Sequence, residues 1–189
     1  MIYLFNAVDN ITDLWFNRAL AVLPSKKQDE ILRYRRPDDQ KRGLLSYLLL
    51  LYGLRCEYQI KDIPELSRAY NGKPFLPGKG LPHFNMSHSG NMVGCALSPD
   101  PVGLDIQQTI AVSPEVIRMV CTPEEISAVQ TPEAFCALWT RKESVAKLTG
   151  QGLTDDFKNV LVRYPDAKTQ TQTLENGAYF LSLSTWTVL

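Results

Sequence analysis

The sequence predicts an α+β protein of two similar subdomains, and three observations carry that expectation. Segments with helical apolar spacing come first and short strand-like segments follow them; the second half repeats that order loosely; and a turn-rich stretch, "SPDPVG" from Ser98 to Gly103, separates the two. The expected division is an N-terminal subdomain of residues 1–101 and a C-terminal one of 102–189 that carries the chemistry.

Ile2 to Val8 is apolar, β-branched or aromatic at its core positions and is expected as a strand, with a helix through "ITDLWFNRALAVL" after it. Pro24 opens a further helix. Pro37 is well placed as the first residue of a long helix, "PDDQKRGLLSYLLLLYGLRCE", whose first turn carries acids. Turn signals "NGKP" (Asn71 to Pro74) and "LPGKGLP" (Leu76 to Pro82) lead to strand-like pieces "HFNMS", "NMVGCALS" and "VGLDIQ". Three helix openings follow at Ser113, Thr122 and Thr131, each a hydroxyl before a proline with Glu in the first turn. Strands are expected in "FKNVLVRY" and "YFLSLSTWTVL".

With 20 basic and 20 acidic residues, no whole-protein field favours nucleic acid or an anionic membrane, so any basic site must be local. The four cysteines are widely spaced, which fits reduced thiols in a cytoplasm better than a disulfide framework or a zinc site. The first residues do not read as a secretory signal. The longest apolar run, Leu44 to Leu54, is shorter than the roughly 20 residues a bilayer needs, and is expected as a buried helix.

Four stretches carry polar groups in patterns that could do chemistry. In "ALWTRKESVAKLTGQGL" (Ala137 to Leu153), winding at about 100° per residue gathers Phe135, Leu138, Val145 and Leu148 into an apolar stripe and sets Thr140, Glu143, Ser144 and Lys147 opposite. Glu143 and Lys147 then read either as a solvent-facing pair, worth about 0.2–0.5 kcal/mol, or as part of a site. Lys142 falls near the apolar stripe and must snorkel or find a partner. In "VGLDIQ", Asp105 and Gln107 share one strand face, which suits either a strand-end turn or a hard cation. "NMSHSG" with the upstream "NGKP" lacks a nucleophile elbow, and its hydroxyls, histidine and lysine suit phosphate binding or a plain polar turn. Lys26 to Arg42 holds seven Lys or Arg against four acids, a solvated helix face or the local charge for a phosphorylated ligand.

In this order, "DDQKR", "GKP", "FNMSHSG", "VGLDIQ", "TPEE" and "WTRKESVAKLTGQGL" resemble the motifs of the Sfp-type 4′-phosphopantetheinyl transferases, over roughly residues 24–153. The resemblance implies two subdomains related by a pseudo-twofold axis, each a small antiparallel sheet packed with helices, and coenzyme A in the cleft between them. It implies transfer of phosphopantetheine from coenzyme A to a serine of an apo acyl or peptidyl carrier protein, with release of adenosine 3′,5′-bisphosphate and with Mg2+ as cofactor. Carried over by position, Asp105, Gln107 and Glu143 would hold the metal, with Glu125 as a further candidate. Lys147 would meet the phosphates, and Glu143, directly or through a bound water, would act as base. Lys27, Arg36, Arg42, Lys73, Ser87 and His88 would bind the coenzyme.

The chain departs from the pattern where many relatives carry a second acid and this one has Gln107, which implies a weaker or more hydrated metal. Glu30 replaces a coenzyme-binding lysine of some relatives, and Gly43 a hydroxyl. Glu125 also fits a capping box after Thr122. The rival reading is a coenzyme A or nucleotide-binding module that has lost turnover. A monomer is expected, since two internal halves complete the cleft without a partner.

Overall fold

The computed structural model describes residues 1–152, 154 and 156–187. Strand β1 (Ile2–Phe5) leads through a short 3-10 turn to helices α1 (Asp13–Ala21), α2 (Ser25–Leu32) and α3 (Pro37–Tyr58). A two-stranded hairpin, β2 (Ser67–Arg68) and β3 (Pro74–Phe75), precedes β4 (His83–Ser89), β5 (Met92–Ser98) and β6 (Val102–Gln108). Helices α4 (Pro114–Val120), α5 (Pro123–Ala128), α6 (Pro132–Thr149) and α7 (Val160–Arg163) come next, and β7 (Ala167–Leu174) and β8 (Tyr179–Trp186) end the described chain. No described helix is long and apolar enough to cross a membrane.

Two three-stranded antiparallel sheets organise the molecule, in the orders β1-β5-β4 and β6-β8-β7. Each runs first strand, last strand, middle strand, with the helices inserted after the first. The α+β class expected from the sequence is therefore what is found, with two small antiparallel sheets packed against helices.

Strand alternation explains the layering. Phe84, Cys95 and Leu97 point to one side and join Leu44, Tyr47, Leu50 and Leu54 of α3 in one core. On the opposite face, Met92 and Ala96 meet Val102, Leu104, Ile106, Tyr179 and Leu181 of the second sheet. The far side of that second sheet lies under α6. The order is helix, sheet, sheet, helix.

Local sequence accounts for the helix ends. Pro stands in the first turn of α3, α4, α5 and α6. Thr122 and Glu125 form a capping box on α5, and Thr131 caps α6, whereas Ser113 makes no side-chain cap. Gly150, at φ +75°, closes α6 in the left-handed conformation.

One expected strand is a helix. "FKNVLVRY" forms a 3-10 turn and α7, because Phe157, Val160, Leu161 and Tyr164 stand at helical i, i+3, i+4, i+7 spacing and join a single core with α6. The missing strand is instead "AKTQTQTL", β7, largely polar and exposed. Its alternate threonines pair with β8, Thr169 with Ser184 and Thr171 with Ser182. Of the expected strand "YFLSLSTWTVL", Val188 and Leu189 lie outside the described residues, as does Leu153 after α6.

Candidate active site

Asp105 enters the site from the middle of β6, on the face turned away from the inter-sheet core, and it is only 5 % exposed. Helix α6 can lie close enough to reach it because residue 103 is glycine. A Cβ there would stand 1.9 Å from the Ser144 carbonyl oxygen and 2.5 Å from the Leu148 nitrogen, both backbone atoms that cannot step aside. The glycine of "VGLDIQ" thus serves the helix, and through it the carboxylate.

Helix α6 buries both its faces. From the apolar stripe, Phe135 and Val145 join Val120, Val129, Phe157 and Val160 in a core of the second half, and Leu148 is buried as well. The opposite stripe, expected from helical winding alone to face solvent, lies on the sheet: Thr140 and Ser144 are fully buried. Their hydroxyls are satisfied there, Thr140 accepting from Ser182 at 3.0 Å and Ser144 sharing a 2.7 Å bond with Ser184. Tertiary packing overrides the amphipathic reading because the second sheet offers hydroxyls in place of apolar side chains.

Glu143 and Lys147 do not pair with each other as the isolated helix would suggest. Lys147 Nζ donates to Asp105 Oδ1 at 2.6 Å and to Ser87 Oγ at 3.0 Å. Ser87 Oγ in turn donates to Asp105 Oδ1 at 2.9 Å and accepts the Ile106 backbone N–H at 3.0 Å. Asp105 Oδ2 is buried with no hydrogen-bond partner among the described residues. Burial raises the Asp105 pKa against the opposing pull of Lys147 and Ser87. Glu143 makes no hydrogen bond or ion pair among the described residues, and burial followed by repulsion from Asp105 pushes it up to about 7, with Lys147 acting the other way.

An orphaned buried oxygen beside a carboxylate held that high is an arrangement short of positive charge. It suits a hard divalent cation, which takes one or two carboxylates and completes its shell with water and phosphate oxygens. No group of three His, Cys, Asp or Glu side chains gathers for a metal among the described residues. The third oxygen within the chain would be the Gln107 amide, which lies on the Asp105 face of β6 and whose Nε2 donates to the Gln108 carbonyl at 2.9 Å. Glu125 stands elsewhere: its Oε2 takes the Thr122 N–H at 2.8 Å and Lys142 Nζ at 2.5 Å.

Lys142, the residue that sat awkwardly on the apolar stripe, is 0 % exposed. Besides Glu125, its ammonium meets the Val120 and Lys158 carbonyls at 2.8 and 2.6 Å. A buried cation with three acceptors ties α4, α5 and the segment before α7 to α6.

Strand β4 is a wall shared by two spaces. Its odd residues face the second sheet, where Asn85, Ser87 and Ser89 accept the N–H groups of Leu104, Ile106 and Gln108 at 2.9–3.0 Å. Its even residues Met86 and His88 line a cleft of about 590 Å3 between α2, α3 and the segment before β2. The stretch read as suiting either phosphate binding or a plain polar turn is therefore a strand, which bonds β6 on one side and lines the cleft on the other.

The cleft is basic but internally paired. Lys27 Nζ lies 2.6 Å from Glu30 and 4.6 Å from the centre of the Tyr47 ring, and Arg68 lies 3.8 Å from Glu30. Lys26 pairs with Glu65 at 2.7 Å, while Arg33 also lines the cleft. Tyr34 fills the space beside Gly43, where a Cβ would come within 2.9 Å of its ring. His88 is solvent-reachable yet crowded: withdrawal from water, then the Arg42 and Lys147 charges, lowers its pKa against a counter-pull from Asp39. Sequence reasoning named Lys27 and His88 here, held Arg33 only as part of the basic segment Lys26 to Arg42, and passed over Tyr47 and Arg68, whose only signal was an aromatic or basic residue on a helix or in a short hairpin.

The remaining candidates lie around this cleft or behind it. Arg42 donates to the Gly90 carbonyl at 2.8 Å and to Asp39 at 2.6 Å, tying α3 to the β4–β5 turn. Arg36 is exposed at the start of α3. Lys73 donates to the carbonyls of Val102, Lys147 and Leu148.

Fold and site together define a two-sheet α+β protein with a buried carboxylate–lysine site where its halves meet. Comparison with known proteins narrows this. A family model described as 4′-phosphopantetheinyl transferase, N-terminal, matches residues 11–100, and that of the 4′-phosphopantetheinyl transferase superfamily matches residues 101–188. The 4′-phosphopantetheinyl transferase Sfp of Bacillus subtilis is 31 % identical over 154 residues, 77 % of this chain and 68 % of the relative. The 4′-phosphopantetheinyl transferase gsp of Aneurinibacillus migulanus is 31 % identical over 169 residues, covering 84 % and 68 %. YieE of Escherichia coli K12, described as uncharacterised, is 38 % identical over 148 residues, 73 % of this chain and 59 % of its own length. The chain belongs to the 4′-phosphopantetheinyl transferase superfamily.

Proposed function

We propose that the protein transfers 4′-phosphopantetheine from coenzyme A to a serine of an apo acyl or peptidyl carrier protein, with release of adenosine 3′,5′-bisphosphate. The observation that carries this reading is the meeting of Asp105, Glu143 and Lys147 beside Ser87, on a strand whose other face lines a basic cleft. The division of labour follows residues 1–101 and 102–189, the first binding the nucleotide end of the coenzyme and the second acting on its pyrophosphate.

In this reading Glu143 accepts the carrier serine's proton. A carboxylate held near 7 is matched to that task at neutral pH. The serine oxygen bonds to the phosphorus that bears pantetheine, and the bond from that phosphorus to the bridging oxygen breaks. Negative charge grows on the departing phosphate, and Lys147, aimed from α6, neutralises it. Asp105 and Ser87 hold the ammonium for that role before the ligand arrives. Asp105, Gln107 and Glu143 would hold Mg2+, which supplies charge neutralisation across the pyrophosphate. Lys27 and His88 bind the nucleotide end from the cleft, and Arg36 and Arg42 add positive charge at its edge. The four free cysteines, three of them buried, support a reducing compartment, the cytoplasm. Both walls come from one chain, which supports a monomer.

Incubation with coenzyme A, Mg2+ and a panel of apo carrier proteins should add the phosphopantetheine mass to a carrier serine, read by mass spectrometry. Absence of transfer to every carrier would overturn the reading. The amide at Gln107, in place of an acid, favours the rival reading of a coenzyme-binding module without turnover; coenzyme A binding by calorimetry together with no transfer would select it.

A further inference from the structure

Lys73 occupies an unusual position for a residue expected to meet the coenzyme. It follows the Asn71-Gly72 turn of the β2–β3 hairpin, in the first half of the chain, yet its ammonium reaches into the second. Its Nζ lies 2.5 Å from the Lys147 carbonyl, 3.3 Å from that of Val102 and 3.5 Å from that of Leu148. Lys147 and Leu148 belong to the last turn of α6, where carbonyls lack intrahelical partners and a cation is favoured by the helix dipole. Val102 is the first residue of β6. One ammonium therefore pins the end of the helix that carries Lys147 to the start of the strand that carries Asp105.

The hairpin is built to hold that ammonium in place. Asn71 Oδ1 accepts the Lys73 backbone N–H at 3.1 Å, and Asn71 Nδ2 donates to the Gly150 carbonyl, just beyond the helix. Gly72, at φ +82°, supplies the left-handed residue the turn requires. Three donors spent on three carbonyls leave none for a phosphate. The same hairpin contributes Arg68 and Pro74 to the basic cleft, so cleft and helix end share one support.

We propose that Lys73 is a positioning residue, which fixes the last turn of α6 against β6 and so sets the contact of Lys147 with Asp105 and Ser87. Its effect on activity rests on the transferase reading, whereas its effect on the helix end does not. A misplacement of about 1 Å at a reacting group can cost on the order of 100-fold in rate. Removing the clamp frees α6 to lift from β6, while Lys27 and His88 stay in the cleft.

The test compares Lys73→Met, Lys73→Gln and Lys73→Arg with the unaltered protein. Hydrogen exchange without ligands reads the amides of residues 147–151, calorimetry reads coenzyme A binding, and steady-state kinetics read kcat and KM. Lys73→Met should speed exchange at those amides and lower kcat by about tenfold or more, with coenzyme A affinity changed by less than about threefold. Lys73→Arg, which keeps the charge and donors, should recover part of both. A tenfold loss of coenzyme A affinity with kcat intact would overturn the proposal, as would unchanged exchange at the helix end. Should Lys73→Met not fold, Lys73→Gln is judged by the same two criteria, with Lys73→Arg again expected to recover part of both. Should the unaltered protein transfer nothing, the transferase reading falls and the exchange result alone decides the clamp.

Discussion

The two halves share one strand order, with helices following the first strand in each, yet their main helices meet their sheets through opposite chemistry. In the first half α3 presses Leu44, Leu50 and Leu54 onto Phe84, Cys95 and Leu97. In the second, α6 lays Thr140 and Ser144 on Ser182 and Ser184 and carries a buried lysine on its other side. A leucine seam tolerates small sliding, because its attraction has no direction. A hydroxyl seam does not, since each bond needs its own partner within about 3 Å. The half that must hold Lys147 against a carboxylate uses the directional seam, and the half that shapes a cleft uses the apolar one.

If the chemistry sits only in the second half, deletions there should dominate. Lys147→Ala and Glu143→Gln should each lower transfer by roughly 100- to 10,000-fold while leaving the thermal midpoint within a few degrees, checked by carrier-loading kinetics and calorimetry. Lys27→Ala, in the first half, should act mainly on KM for coenzyme A.

A pair of glycines sharpens the contrast next. Each lets a helix approach a sheet, but a Cβ on Gly53 of α3 would meet the movable ends of Leu97 and Tyr3, whereas one on Gly103 would meet backbone. Gly103→Ala should cost about 3 kcal/mol or more by chemical denaturation, the upper part of the range for overpacking. Gly53→Ala should cost less than about 1 kcal/mol, because the gain of roughly 1 kcal/mol in helix propensity offsets the crowding. Equal costs would break the comparison.

The acids of the second half should also leave a mark on the pH dependence of folding. Glu143 is held up to about 7 in the folded protein against an ordinary 4.5, so the folded state keeps a proton that the unfolded chain releases between those values. Stability without divalent cations should therefore fall as pH rises from about 5 to 8. Glu143→Gln should flatten that slope and stabilise the protein at pH 8 by about 1–2 kcal/mol, read from thermal melts. A small effect is expected for Ser144→Ala, about 1 kcal/mol for a buried, bonded hydroxyl. Leu50→Ala in the apolar seam should cost about 2–5 kcal/mol by comparison.

The sequence made some of this legible and hid the rest for physical reasons. Proline and hydroxyl signals located the starts of α3, α5 and α6, because caps are local. The α7 segment was misread because Phe157, Val160 and Leu161 are residue types that suit strands as readily as helices, and β7 was missed because a Thr-Gln alternation buries almost nothing. Within the site, winding α6 correctly placed Glu143 and Lys147 on one side but could not say what lies opposite, since that is decided by Gly103 in another element. Lys142 showed only as an anomaly, its acceptors being distant carbonyls that leave no trace in sequence.

The rungs between β4 and β6 have a consequence of a different kind. Strands usually join through backbone groups, which every sequence possesses, and an open edge therefore accepts strangers. Here the N–H groups of Leu104, Ile106 and Gln108 are taken by Asn85, Ser87 and Ser89, side chains that few strands would present at that spacing. Slipping by one residue would turn all three away from their partners. The join between the halves is thus written in sequence, so that an edge otherwise open to aggregation admits a single strand in a single register.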